Sequence, residues 1–526
     1  MKRNGCFKGR SISVVGDLSV DEQRYLYRKA RELKAELAAG GDAARFRIAD
    51  ADYSAYLVFL ENSTRTRESF RNAALFHRVR ATMFDAASSS FAKNESLTDA
   101  IKMLVGYAPE SSFVIRSGLE GVCGWLSDYL GPWAERSGYM KPSFINAGDG
   151  KHEHPTQEFL DEFSFLEQLG WDDSHIHLAL LGDLHHGRTV HSKADGLRVF
   201  GTVVVDLVAP PELSMPEHYV EKMRRNGYEV RVYGSIDEYL SSGKTAAIWY
   251  FTRLQLERMG ESILEKAPAL RKAVTFRKDM LGKLSDGTRF YHPLPRDRLA
   301  PTIPSFLDDT PLNAWDAQSA NGYYTRVVEM AMLAGVLGDD FEGEGLITPA
   351  LDGDFILEAP VSSTTKPEYK VGIKPVESGL VIDHIASGLP PEEIWNRIDK
   401  IRRVLGLNMR SSHGVFHTNS GDYKGIVSVP DLLKFGEKEL KRLGAVSPGC
   451  TLNLVRNHAV EKKYRLGMPP RIYNFDDIAC KNDNCVSHPS HHEHVEASFV
   501  RKPDSDTTFV CKWCEREHDY SEIWRV

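Results

Sequence analysis

With 526 residues the chain is too long for one hydrophobic core and has room for roughly three or four domains. Its 42% apolar content suits globular folding, and a formal charge of -7 argues against a general nucleic-acid binder, so anion recognition must come from local clusters. The basic start Met1-Lys2-Arg3-Asn4-Gly5-Cys6-Phe7 lacks the apolar run of a signal peptide and no segment reaches membrane-spanning length, which predicts a soluble, cytoplasmic protein with no nucleic-acid or membrane partner.

Asp17 to Ala39 reads as a helix capped by Ser19, with Leu26, Leu33 and Leu37 at helical spacing. Strands are expected at Tyr53 to Leu60, Ala81 to Phe84, Ser112 to Ile115 and Ser143 to Asn146. Helical patterns between them imply a mostly parallel α/β sheet, which binds ligands at the carboxyl ends of its strands. Ser63-Thr64-Arg65-Thr66-Arg67 stands at one such end, where a helix begins. Three hydroxyls and two guanidiniums beside free N–H groups suit a phosphate; an ordinary helix cap with solvated arginines explains the same pattern.

Ala86 to Ser96, small residues around Lys93, fits a mobile loop or a plain solvated one. Arg116 ends the third strand, within reach of the same anion. Asn146 to Gly150 ends the fourth, and Pro155 suits a first helical turn with His154 at its mouth. A lone histidine is more often structural than catalytic, and zinc is not expected there without a second ligand pair. A second α/β unit follows, with strands at His175 to Asp183, Thr202 to Val208, Glu229 to Tyr233 and Ala246 to Phe251. Arg188 and Arg253 stand at strand ends, where two guanidiniums entering one crevice suit a dicarboxylate; taken singly, either fits a surface ion pair. His292-Pro293-Leu294-Pro295-Arg296 is a proline-restricted turn, and Ala314 to Leu337 a closing apolar helix.

Periodicity fades from Phe341 to Lys370, as expected of a linker. A small α+β domain then reads as strands at Gly379 to Ile385, Gly425 to Val429 and Cys450 to Val455, with helices at Pro391 to Leu405 and Asp431 to Leu443. Cys480, Cys485, Cys511 and Cys514 carry the spacing of a four-thiolate structural zinc site, one per chain, with His488, His491, His492, His494 and His518 as competitors and a redox dithiol as the weaker reading.

The ordered set Ser63-Thr64-Arg65-Thr66-Arg67, Arg116, His154-Pro155-Thr156-Gln157, Gly187-Arg188-Thr189-Val190-His191-Ser192, Thr252-Arg253-Leu254-Gln255 and His292-Pro293-Leu294-Pro295-Arg296 resembles the transcarbamoylases, and more narrowly the aspartate carbamoyltransferases. The ornithine enzymes are the rival within that family; they carry cysteine where Pro293 stands and a Ser-Met-Gly element that is missing here. The resemblance implies two parallel-sheet α/β catalytic domains, 1–155 completed by helices at 315–340 and 156–314, acting on carbamoyl phosphate and L-aspartate without a catalytic cofactor. By the same resemblance Ser63, Thr64, Arg65 and Thr66 hold the phosphate. Thr66, Arg116 and His154 polarise the carbonyl, and Gln157 and the Leu294 backbone meet the amide. Arg188 and Thr189 take the α-carboxylate of aspartate, Arg253 and Gln255 its side-chain carboxylate. Ser89 and Lys93 match residues that reach a neighbouring subunit's site, which implies a homotrimer, and Leu294-Pro295 is expected to be cis.

The last third resembles the regulatory chain of the same family, fused behind a linker at 341–372: a nucleotide-binding-like α+β domain at 373–468 and a zinc-binding β domain at 469–526. Asp383, His384, Asn453 and Lys463 match its effector site. Ser428 stands where that family has a nucleotide-contacting lysine, which puts nucleotide control in doubt.

Overall fold

The computed structural model describes residues 5–84, 95–255, 265–346, 355–361, 376–407, 411–418, 420–432 and 435–524. The chain separates into two compact units, residues 1–347 with 482–495, and residues 348–481 with 496–526.

The first unit is built on two parallel sheets. Strands β1 (Tyr53–Phe59), β2 (Arg80–Phe84), β3 (Glu110–Ser117) and β4 (Ser143–Asp149) form one in the order β2-β1-β3-β4. Six of the seven β1 residues and all seven of β4 are buried, as expected where helices cover both faces. Helix α1 (Val20–Ala38) starts at Ser19, whose hydroxyl accepts from the Glu22 N–H at 3.1 Å while the Glu22 carboxylate takes the Ser19 N–H at 2.8 Å. Helix α2 (Thr64–His77) follows β1 directly. Helices α3 (Leu97–Val105) and α4 (Val122–Arg136) flank β3, and α5 (Pro155–Gln168) leaves β4 through His154 with Pro155 in its first turn.

The second sheet joins β5 (His175–Leu181), β6 (Thr202–Val208), β7 (Glu229–Tyr233), β8 (Ile248–Phe251) and β9 (Arg289–Tyr291) in the order β7-β6-β5-β8-β9, again all parallel. A helix at Trp315–Leu333 packs on α1, α2 and α5. Leu57, Phe70, Val114, Ile145, Phe159 and Val327 share one core, while Trp249, Phe251, Phe276 and Phe290 fill a second beneath β8 and β9.

The second unit holds an antiparallel six-stranded sheet in the order Ile356–Glu358, Ala459–Leu466, Thr451–Arg456, Gly379–Ile385, Tyr423–Pro430, Ser412–His417. A four-stranded antiparallel sheet joins Arg471–Tyr473, Ser498–Arg501, Thr508–Cys511 and Glu517–Asp519. Two expectations change. Ile356–Glu358, inside the stretch read as a linker, is an edge strand paired with Ala459–Leu466. The helix expected from Asp431 begins only at Glu437, where the Glu439 carboxylate accepts the Gly436 N–H at 3.0 Å. Among the described residues no helix is long and apolar enough to cross a membrane.

Candidate active site

The carboxyl ends of β1, β3 and β4 meet those of β5 and β8 around a cleft of about 900 Å³. The first wall is the start of α2. Ser63 precedes it in extended conformation and makes no side-chain cap hydrogen bond, so the hydroxyl that the capping reading would have spent on the helix is left to the cleft. Thr64 and Arg65 are exposed, Thr66 is buried, and all three line the cleft. The free N–H groups of such a helix start, joined by a guanidinium, favour an anion. Arg67 points elsewhere and pairs with Glu68 at 3.2 Å.

The second wall is set by β3 and β4. Arg116 donates from Nη1 to the Ala147 carbonyl at 2.9 Å, and Arg188, at the start of a short helix after β5, donates from Nη1 to the Gly150 carbonyl at 2.9 Å. Gly148, at φ +107°, lies between them. A Cβ there would stand 2.9 Å from Arg116 Nη1, 3.1 Å from His154 Cδ2 and 3.3 Å from Arg188 Cζ, so only glycine leaves room for the three side chains to converge. Burial first, and then the positive charges of Arg116, Arg188 and Arg326, hold the His154 imidazole well below its ordinary range. It is therefore neutral at physiological pH and offers a neutral N–H donor.

The third wall carries Thr189, Arg253 and Gln255. Gln255 is fixed by its own N–H to Asp183 Oδ2 at 3.1 Å and by Nε2 to the His186 carbonyl at 3.2 Å. The cleft closes with His292, Pro293 and Leu294, and the Leu294-Pro295 peptide is cis. Every described residue expected from the sequence in this half lies on the cleft: Ser63, Thr64, Arg65, Thr66, Arg116, His154, Gln157, Arg188, Thr189, Arg253, Gln255 and Leu294. Ser89 and Lys93 fall outside the described residues.

Family models match three segments: "Aspartate/ornithine carbamoyltransferase, carbamoyl-P binding domain" over residues 10–167, "Aspartate carbamoyltransferase regulatory chain, allosteric domain" over 371–467, and the metal binding domain of that regulatory chain over 470–524. Protein PyrBI of Thermotoga maritima is 52% identical over 533 residues, covering 100% of both chains. The chain belongs to the aspartate carbamoyltransferase family, with catalytic and regulatory chains fused. The PyrBI protein of Treponema denticola is 49% identical, covering 98% of each chain. A catalytic subunit from Methanosarcina barkeri is 31% identical over 63% of this chain and 99% of its own. The aspartate transcarbamoylase of Trypanosoma cruzi, solved in complex with carbamoyl phosphate and aspartate, superposes with a TM-score of 0.52 at 26% identity, covering 62% of this chain and 96% of that one.

Sequence reasoning gave no role to several residues of this aspartate carbamoyltransferase site. Glu61 lines the cleft and pairs with Arg188 at 3.3 Å; its acidic side chain beside a basic motif was the available signal. Arg326 and Gln318 reach the cleft from the Trp315–Leu333 helix. Behind the cleft, Lys193 is buried with Glu158, Asp161 and Glu162, whose three acids on an otherwise apolar helix face were legible but unused.

In the regulatory region, the sulfurs of Cys480, Cys485, Cys511 and Cys514 are buried and lie within 4.8 Å of one another. Four converging thiols are the donor set of a tetrahedral soft-metal site. His518 Nε2 stands 3.4 Å from Cys480 Sγ, the nearest histidine to the cluster that the described residues show. On the six-stranded sheet Ser428, Val381, Asn453 and Lys463 follow one another as register partners on adjacent strands. Ser428 is buried. Asp383, two residues along from Val381, is held by Lys424 Nζ at 2.7 Å, which lowers its carboxyl pKa against the opposing effect of burial, and the neighbouring His384 is half exposed.

Proposed function

We propose that this chain transfers the carbamoyl group of carbamoyl phosphate to the amine of L-aspartate, releasing phosphate and N-carbamoyl-L-aspartate. The observation that carries the reading is the convergence of two anion sites on one cleft, the α2 start with Arg65 on one side and the Arg188, Arg253, Gln255 wall on the other. In this reading Ser63, Thr64, Arg65 and Thr66 bind the phosphate. Thr66, Arg116 and the neutral His154 donate to the carbonyl oxygen as it gains negative charge, each donor contributing about 2.7–4 kcal/mol. Gln157 and the Leu294 carbonyl accept from the amide. Arg188 with Thr189 and Arg253 with Gln255 grip the two carboxylates, which aims the amine at the carbonyl carbon. A C–N bond forms, the C–O bond to phosphate breaks, and the amine proton leaves with phosphate or water. Orientation of two bound anions supplies about 7–11 kcal/mol of the barrier reduction.

The four cysteines fit zinc, whose structural sites are closed by four thiolates. We assign it to holding the small four-stranded domain together. Catalytic trimers with Ser89 and Lys93 reaching across subunits, a cytoplasmic location and nucleotide effectors at Asp383, His384, Asn453 and Lys463 complete the reading. One assay tests it: carbamoyl phosphate with aspartate or with ornithine, following phosphate and ureido product. Turnover with aspartate alone is expected. Turnover with ornithine alone would assign a different acceptor, and none with either would leave a regulatory scaffold.

A further inference from the structure

A buried carboxylate that no step above uses stands directly behind the part of the cleft assigned to the amide. Asp161 Oδ1 accepts from Gln157 Nε2 at 2.7 Å and from Gln318 Nε2 at 2.6 Å, and Lys193 Nζ sits 2.9 Å from its other oxygen. Lys193 also binds Glu158 at 2.5 Å, and all these charged side chains are fully buried. A carboxylate that receives a lysine and two amides can only accept. The amide nitrogen of Gln157 must therefore face inward, and its oxygen is left for the cleft that Gln157 lines.

The second arm has the same logic. With its nitrogen on Asp161, Gln318 turns its oxygen to the His292 N–H at 2.9 Å, and His292 Nδ1 accepts the Leu294 N–H at 2.8 Å. Burial keeps that imidazole neutral, so Nδ1 stays an acceptor. The N–H of Leu294 is thus spent within the protein, and the backbone group this residue can offer a ligand is its carbonyl. We propose that Asp161, clamped by Lys193, is the positioning residue that turns the Gln157 oxygen to the cleft and, through Gln318 and His292, fixes the Leu294 peptide with its N–H engaged, so that this part of the cleft offers acceptors only and selects an acyl phosphate bearing an amide over one bearing a methyl group. The inference rests on the carbamoyl-transfer reading and names the specificity of that same site.

Asp161→Asn tests it in the full chain, because Lys193 keeps Glu158 as its partner while the new amide lets Gln157 rotate. Two quantities are measured in one assay, the KM for carbamoyl phosphate and the inhibition constant of acetyl phosphate, which has a methyl group in place of the amide. KM is expected to rise about tenfold while inhibition by acetyl phosphate changes less than twofold. A parallel loss of both, as a merely structural role would give, overturns the proposal, and so does no change in either. Should Asp161→Asn fail to fold, Gln318→Met cuts only the Leu294 arm: a rise of about threefold confined to carbamoyl phosphate supports the proposal, and equal effects on both ligands overturn it. Absence of carbamoyl transfer to aspartate by the unmodified enzyme would instead overturn the parent reading, and this inference with it.

Discussion

Glu61 Oε2 lies 3.3 Å from Arg188 Nη2 and 3.8 Å from Arg116 Nε, so a single carboxylate joins the guanidinium assigned to aspartate to the one assigned to the carbamoyl oxygen. Arg188 has a further hold on the Gly150 carbonyl, so Glu61 is one of the contacts that place its guanidinium. Glu61→Ala is expected to raise the KM for aspartate about tenfold, the equivalent of one charge-assisted hydrogen bond of about 1.5 kcal/mol. Aspartate saturation curves check it; an unchanged KM would mean that Arg188 keeps its place without Glu61.

Gly148 brings the main chain up against three cleft side chains. Gly148→Ala places a methyl group against Arg116, His154 and Arg188 and also forces φ +107° on a residue with a side chain. The three groups must retreat by several tenths of an ångström. A misplacement approaching 1 Å costs about a hundredfold in rate, so kcat is expected to fall by that order while thermal melting shows a folded protein. Full activity in Gly148→Ala would show that the side chains have slack the geometry denies.

Glu329 is fully buried, and burial pushes its carboxyl up to about 8 against the lowering effect of Arg326. A group whose folded pKa lies above its unfolded value stabilises the fold below the unfolded value, near 4.5, and that contribution is lost as pH rises through 8. Glu329→Gln mimics the protonated form at every pH. Relative to the unmodified protein, the variant is therefore expected to gain stability between pH 5 and pH 9, by roughly 3–5 kcal/mol at about 1.4 kcal/mol per pKa unit. Denaturant unfolding at the two pH values measures it; a difference independent of pH would place the Glu329 titration in the ordinary carboxylate range.

The reach of the sequence follows from how local each signal is. Ser63 to Thr66, Arg116, His154 and Arg253 each stand at or shortly after the carboxyl end of an apolar strand, and that end of a parallel strand is placed by the fold class itself. The strands read as such because β-branched and aromatic runs separate them from helical patterns. Glu61 and Asp161 carry no such mark: their roles come from partners 127 positions away at Arg188 and 157 positions away at Gln318, distances that no window spans. Ile356–Glu358 was hidden for a different reason. Three residues set among glycines and acids have no period of their own and become a strand only because Ala459–Leu466 offers an edge.

Glu120 links residues 482–495 to the loop that carries Gly150. Its carboxylate, raised chiefly by burial, accepts from Asn482 Nδ2 at 2.6 Å and from the Lys151 N–H at 3.0 Å, while its backbone pairs with Asn484 and Val486. Lys151 is the neighbour of Gly150, whose carbonyl holds Arg188. Asn482 sits between two cysteines of the cluster, Cys480 and Cys485, so a metal held by those thiols would steady the residue that braces Glu120. Asn482→Ala leaves a buried carboxylate short of one donor, about 1–3 kcal/mol, and is expected to raise the KM for aspartate several-fold with little change in that for carbamoyl phosphate. Stripping the metal from the unmodified protein with a mercurial and a chelator is expected to move the same constant in the same direction. Stripping the Asn482→Ala variant adds little, because both changes cut one connection. Fully additive effects on the aspartate KM would show that the metal acts on the cleft by some route other than Glu120.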